Sequence, residues 1–177
     1  GKTSMRTKDE DFVRDLFVSS THSHILIFTD LGRVFRLKVW QLPQGSRTAR
    51  GKAVVNVIDL MPGERMTALR PVAEWPEEAG ERFLFFGTEN GRVKKTDLTA
   101  YRNIRSNGLY AIELEEDDHL IEVRQVEPGQ HVLLVSADGM AIRFDSDEAR
   151  PMGRRTRGVR GMALRPGDRV VGMLPVR

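Results

Sequence analysis

Cysteine is absent from this chain of 177 residues. Disulfide frameworks, cysteine nucleophiles and thiolate-ligated metals are therefore excluded, and a reducing cytoplasm is the natural setting. Long apolar runs are missing too, because no aliphatic or aromatic run exceeds five residues, far short of a membrane span. The polar first ten residues also lack the apolar stretch of a signal peptide.

The chain also has no large excess of positive or of negative charge. The 28 lysines and arginines stand against 25 acidic residues, which gives a net charge of +3. So small an excess does not by itself point to an anionic partner. The distribution of the cations along the chain is more informative than their number.

A three-part sequence pattern occurs three times. An apolar run leads to a turn glycine, a second glycine follows in polar and mostly basic surroundings, and a closing block runs from a leucine to a valine twelve residues on. The turn glycines are Gly32, Gly91 and Gly139, the second glycines are Gly51, Gly108 and Gly158, and the closing blocks are 60–72, 114–126 and 164–176. A repeat of roughly 50 residues predicts one supersecondary unit used several times.

Each repeat is predicted to hold about four short strands. The apolar runs are bounded by turn residues, and Asn90-Gly91 and Asp138-Gly139 are hairpin signals. Four-stranded units of this length are typical of propeller blades, so we predict an all-β, propeller-like array of antiparallel blades. The alternative is a set of unrelated hairpins in one β-sandwich. The predicted boundaries are 1–20 for the end of a preceding blade, then blades at 21–72, 73–126 and 127–177, as in a piece of a longer array.

Basic residues recur in phase with this repeat. Four positions after each turn glycine stand Arg36, Lys95 and Arg143, which would form a row on neighbouring blades. More cations flank this row or surround the second glycines: Arg33, Lys38, Arg92, Lys94, Arg47, Arg50, Lys52, Arg102, Arg105, Arg154, Arg155, Arg157 and Arg160. Regularly spaced cations suit successive phosphates of a polyanion, and the glycines would allow close backbone approach. A solvated face with interspersed charges is the alternative.

Several segments together resemble one known family. They are Gly32-Arg33-Val34-Phe35, the run from Asn90 to Thr96, and the run from Met152 to Gly161. They resemble the C-terminal domain of the DNA gyrase A subunit, which is a β-pinwheel that wraps DNA around its outer perimeter. The resemblance covers essentially the whole chain.

The resemblance implies a non-catalytic domain that binds, bends and wraps double-stranded DNA with little sequence specificity. It implies a role in ATP-dependent negative supercoiling by a type IIA topoisomerase of the bacterial cytoplasm and nucleoid. The implied partners are the gyrase B subunit together with the remainder of the gyrase A subunit. No catalytic residue, metal or cofactor is expected in this part, since ATP and Mg²⁺ bind elsewhere in the parent enzyme.

The sequence departs from the family in two ways. The family's glutamine-arginine-arginine-glycine-glycine-lysine-glycine box has no complete copy, although Gly1-Lys2 could be its tail and Gly51-Lys52 a degenerate counterpart. Only three full repeats are present, where gyrase domains usually have about six blades. Two alternatives therefore stay open: the corresponding C-terminal domain of topoisomerase IV, and a propeller that acts as a protein-interaction module.

Overall fold

The predicted all-β architecture is confirmed by the computed structural model, which describes residues 24–38, 58–105 and 107–177. Two short 3-10 turns, Leu98–Tyr101 and Ser146–Glu148, accompany the strands. In these ranges no helix is long and apolar enough to cross a membrane. The strands are β1 (His24–Thr29), β2 (Arg33–Lys38), β3 (Met66–Val72), β4 (Phe83–Thr88), β5 (Arg92–Asp97), β6 (Leu109–Tyr110), β7 (Leu120–Val126), β8 (His131–Ser136), β9 (Ala141–Asp145), β10 (Val159–Arg160) and β11 (Val170–Val176).

The strands form three antiparallel sheets with the orders β3-β1-β2-β6, β10-β5-β4-β7 and β11-β8-β9. The apolar runs become β1, β4 and β8, and each pairs with the strand that follows its turn glycine. Gly32, Gly91 and Gly139 have φ of 83°, 87° and 86°, the left-handed backbone that these turns need. The closing blocks end in β3, β7 and β11, so the predicted hairpins and closing strands are confirmed.

The fourth strand of each complete sheet comes from the next repeat. β6 pairs with β2 of the preceding repeat, and β10 pairs with β5 in the same way. This pairing between repeats is extended by two backbone hydrogen bonds of 2.8 Å. Ala111 N–H donates to the Gly32 carbonyl, and Gly161 N–H donates to the Gly91 carbonyl. Repeats 73–126 and 127–177 therefore hold four strands each, as predicted, but one strand of each pairs with the sheet of the preceding repeat. In the described residues the third sheet has three strands.

Consecutive sheets stack face to face, with a hydrophobic layer between them. Leu26 and Phe28 of the first sheet pack with Leu84 and Phe86 of the second, and the rings of Phe28 and Phe86 meet edge to face at 5.6 Å. A second layer, between the second and third sheets, includes Phe85, Val93, Leu134 and Met173. Because the second sheet is covered on both faces, every residue of β4 is buried, whereas burial alternates along β8.

The closing strands β3, β7 and β11 lie on the inner side of the array. β3 lies beside β7, and β7 lies beside β11. Arg70 of β3 donates to the carboxylate of Glu122 and to the Val123 carbonyl, both in β7. Because the sheets converge along these strands, the opposite edges, formed by β6 and β10 with the loops that precede them, lie on the outer side.

Candidate nucleic-acid interface

The three cations of the predicted row occupy equivalent register positions. Arg36 pairs with Leu26, Lys95 with Phe85 and Arg143 with Leu133, in each case the residue six positions before the turn glycine. Their exposure is nevertheless very different. Arg36 is half-buried, Lys95 is 3% exposed and Arg143 is exposed. The expected continuous row of surface cations is therefore not formed, and this part of the prediction is corrected.

The next repeat covers the row position in the first two sheets. The Lys95 ammonium lies 4.7 Å from the centre of the Phe83 ring and 3.6 Å from Asp147 Oδ1, and Met152 N–H donates to the Lys95 carbonyl at 2.8 Å. Arg36 Nη1 donates to the carbonyl of Arg102, which also belongs to the following repeat.

Arg143 stays within its own sheet. Its Nε donates to His131 Nδ1 at 3.2 Å. In the described ranges no loop of a following repeat lies against β9, the strand that carries Arg143. The exposure of the cation at the row position thus depends on which residues of the neighbouring repeat cover it.

Two of the flanking cations are buried and serve internal contacts. Arg33, 7% exposed, lies 3.4 Å from Glu64 Oε1 and donates to the Asp59 carbonyl at 3.0 Å. Lys94 is 1% exposed, and burial lowers its pKa to about 7. Neither side chain is available at the surface, so their predicted place among the DNA contacts is corrected. Lys38, by contrast, is half-buried at the end of β2.

Several strand cations share one kind of acceptor, the backbone carbonyl of an arginine in the next repeat. Arg36 donates to Arg102, and Lys94 Nζ donates to the Arg154 carbonyl at 2.5 Å. Arg92 follows the pattern, because its Nε donates to the Arg157 carbonyl at 3.4 Å. The strand cations therefore fix the backbone of two arginine-bearing loops at the outer edge. We call them the first arginine loop (residues 102–105) and the second arginine loop (residues 150–160).

The side chains of the two arginine loops form the exposed cationic surface. Arg154 is half-buried, and the other predicted contacts in the two loops are exposed: Arg102, Arg105, Arg155, Arg157 and Arg160. The loops meet, because Arg105 and Arg154 line the same groove of about 320 Å³ together with Asn103, Asn107 and Leu109. The structure thus joins cations from two repeats that sequence spacing places some 50 residues apart.

Little negative charge opposes this surface. The second arginine loop contains no acidic residue. Arg157 lies 3.8 Å from Glu113, but the two side chains are 62% and 58% exposed, and such a pair contributes little. Among the described residues no carboxylate comes within ion-pair distance of Arg105, Arg154 or Arg155. In the same ranges no three His, Asp or Glu side chains gather to hold a metal ion.

Gly108 and Gly158, the two second glycines among the described residues, serve packing between repeats. A Cβ on Gly158 would lie 2.3 Å from the Val93 carbonyl oxygen, and one on Gly108 would lie 2.5 Å from the Phe35 ring. Both contacts are with the preceding sheet, where β10 and β6 cross it. The interpretation that these glycines let the backbone approach phosphate is therefore corrected. They let one repeat approach another.

Four predicted site features lie outside the described residues. They are Gly51 and the cations around it, Arg47, Arg50 and Lys52. Their role in binding stays a prediction. Asp147 and the loop carbonyls could not be predicted as partners of strand cations, because no local sequence pattern signals a contact between repeats.

Lys94 should make stability depend on pH above neutrality. Its pKa is about 7 in the folded chain and near 10.5 in the unfolded chain, so between these values the unfolded chain binds more protons and stability rises with pH. We expect the urea midpoint of the wild type, relative to Lys94→Met, to increase between about pH 7 and 9.5. Parallel pH profiles for wild type and Lys94→Met would contradict the assignment.

The sequence matches a known family along most of its length. Residues 23–73, 82–127 and 130–177 match the family described as DNA gyrase C-terminal domain, beta-propeller. The A subunit of DNA gyrase from Escherichia coli is 44% identical over 177 residues, which are 100% of this chain and 20% of that protein. The corresponding protein of Clostridium acetobutylicum is 43% identical over 161 residues, 91% of this chain and 19% of that protein. The chain thus spans about a fifth of these curated relatives.

Solved structures agree with the arrangement of the sheets. The C-terminal domain of DNA topoisomerase IV has a TM-score of 0.78 and 30% identity, over 87% of this chain and 47% of that one. A DNA gyrase A C-terminal domain has a TM-score of 0.72 over 89% of this chain and 49% of that one. At 22% identity the second likeness shows the fold alone.

Proposed function

Because this chain belongs to the DNA gyrase C-terminal domain family of beta-propellers, we propose that it is a non-catalytic domain that binds double-stranded DNA and bends it around the outer edge of the array. One observation carries the proposal: cations buried in or beside the strands hold the two arginine loops by their backbones, while the arginine side chains of the loops reach solvent. B-DNA presents one charge per about 1.7 Å of helix axis, so a cationic edge shared by successive repeats can meet successive phosphates.

Phosphate contacts should dominate this interface. Arginine pairs with phosphate oxygens through several parallel donors, and such contacts position a duplex without reading its sequence. Smoothly bending a short site costs about 1–6 kcal/mol, which many distributed contacts can offset. We therefore assign the outer-edge contacts to Arg102, Arg105, Arg154, Arg155, Arg157 and Arg160.

In the intact protein we propose that the domain belongs to the A subunit of DNA gyrase and presents a bent DNA segment for ATP-dependent negative supercoiling. Its partners would be the gyrase B subunit together with the remainder of its own polypeptide, in the bacterial cytoplasm, with ATP and Mg²⁺ bound outside this domain. The identity of 44% along the whole chain supports gyrase. The TM-score of 0.78 supports the C-terminal domain of topoisomerase IV as the second candidate.

Fluorescence anisotropy with random-sequence duplex DNA tests the proposal. With six arginine contacts, log K should fall against log salt with a slope of about −5, and unrelated sequences should bind alike. Energy transfer between dyes on the two duplex ends should rise on binding, because bending brings the ends together. Absence of binding at low salt would favour a protein-interaction propeller, and binding without a change in transfer would remove bending from the proposal.

A further inference from the structure

We propose that Lys94 is a positioning residue for DNA binding, whose buried ammonium holds the second arginine loop against the sheet of the preceding repeat so that the arginines of this loop face the duplex. The inference rests on the proposed function and assigns a role to a cation that cannot contact DNA itself. With 1% of its surface exposed, Lys94 has no access to phosphate.

The side-chain nitrogen of Lys94 joins two repeats. Its Nζ donates to the carbonyl of Arg154 at 2.5 Å, and it also donates to the carbonyl of Ala111. Ala111 N–H donates in turn to the carbonyl of Gly32, the hairpin glycine of the first repeat, at 2.8 Å. The side chain therefore links β5 of the second repeat to a loop of the third, and its acceptor Ala111 is itself bonded through its backbone to the first turn.

Lys94 acts at the middle of the second arginine loop. Met152 N–H donates to the Lys95 carbonyl near one end, and Arg92 Nη2 donates to the Gly158 carbonyl at 2.9 Å near the other. The segment between these anchors carries three of the assigned arginines. The Lys94 contact holds this segment at Arg154, the first of the three, and Glu113 N–H holds it at the Thr156 carbonyl, at 3.0 Å. Lys94 therefore fixes where the first of these arginines leaves the sheet.

Burying an ammonium is costly unless its hydrogen bonds are made. The cost is visible here, since burial lowers the pKa of Lys94 to about 7. An apolar side chain at position 94 would avoid this cost of burial, but it would leave the carbonyls of Ala111 and Arg154 without this hydrogen-bond donor. An unsatisfied carbonyl is unfavourable when it is buried or partly buried, so the second arginine loop would move away from the sheet to bring the Arg154 carbonyl into water. This links the lysine to loop position rather than to the core alone.

A double-mutant cycle tests the role. Lys94→Met keeps a side chain of similar length without a donor, and it is compared in the wild type and in a triple variant, Arg154→Gln with Arg155→Gln and Arg157→Gln. Loss of the positioning hydrogen bonds should weaken duplex binding about five- to tenfold in the wild type and less than about twofold in the triple variant. Amide exchange should speed up at residues 153–157 and stay unchanged in β4.

The other outcomes overturn the proposal. Unchanged affinity of Lys94→Met would remove the positioning role while leaving the DNA interface intact, and equal losses in both backgrounds would show that Lys94 does not act through these arginines. A wild type that binds no DNA would defeat both the proposed function and this inference. Circular dichroism checks folding. If Lys94→Met does not fold, Lys94→Leu, which also lacks a donor, enters the same cycle with the same criteria.

Discussion

Replacing Arg154, Arg155 and Arg157 together with glutamine is expected to weaken duplex binding on the order of 100-fold at about 0.1 M salt. Each phosphate contact adds about 0.9 to the slope of log K against log salt, so the loss of three should flatten it by roughly 2.7. The expectation follows from the acid-free composition of the second arginine loop and its place on the outer edge. Anisotropy titrations at four or more salt concentrations measure both quantities, and the loss should be alike for unrelated sequences.

The control removes the same charge elsewhere. Arg65, Arg165 and Arg169 are exposed in or beside the turns that precede β3 and β11, outside the two arginine loops. Their joint replacement by glutamine changes the net charge equally and should leave the slope nearly unchanged. If the two triple variants lose affinity and slope to the same extent, only the general charge of the domain attracts DNA, and the second arginine loop is not the interface.

Gly158→Ala should destabilise the fold by about 2–4 kcal/mol. The residue has a φ of 78°, which alone is unfavourable for alanine. In addition, the new Cβ would lie 2.3 Å from the Val93 carbonyl oxygen, a backbone atom that cannot move without disturbing β5. Urea denaturation followed by circular dichroism measures the change, with the slope m checked for constancy.

Two other glycines separate the contributions to this effect. Gly167 has a φ of 82° and no atom within 4 Å of the place that a Cβ would take, so Gly167→Ala carries the backbone cost alone, about 1–2 kcal/mol. Gly153 has neither feature, and Gly153→Ala should be close to neutral. If Gly158→Ala costs no more than Gly167→Ala, the crossing of β10 over the second sheet is not as close as described.

Some of this architecture could be predicted from sequence because the responsible forces act within a few residues. The turn chemistry at Gly91 and Gly139 needs only a left-handed residue between two apolar strands, and the hairpins follow. Repetition with a period of roughly 50 residues then implies stacked equivalent units. The same periodicity correctly placed Arg36, Lys95 and Arg143 at one register position.

Contacts between repeats could not be predicted from turn residues and periodicity. The second glycines are visible in the sequence, but their tight packing against the preceding sheet depends on which strand β6 and β10 join. No pattern within a single repeat predicts that one of its strands pairs with the sheet of the preceding repeat. The same crossing brings the second arginine loop onto β5 and so decides which cations are covered.

By itself the sequence determined the unit, its turns and the phase of its cations, since these depend on local backbone preferences and on period. The tertiary structure decided which cationic side chains are exposed to solvent. Lys94 and Lys95 are consecutive and point to opposite faces of β5, so on a sheet with one wet face one of them would be exposed. Both are buried because neighbouring repeats cover the second sheet on its two sides, which leaves the outward surface to the loop arginines that these lysines help to hold.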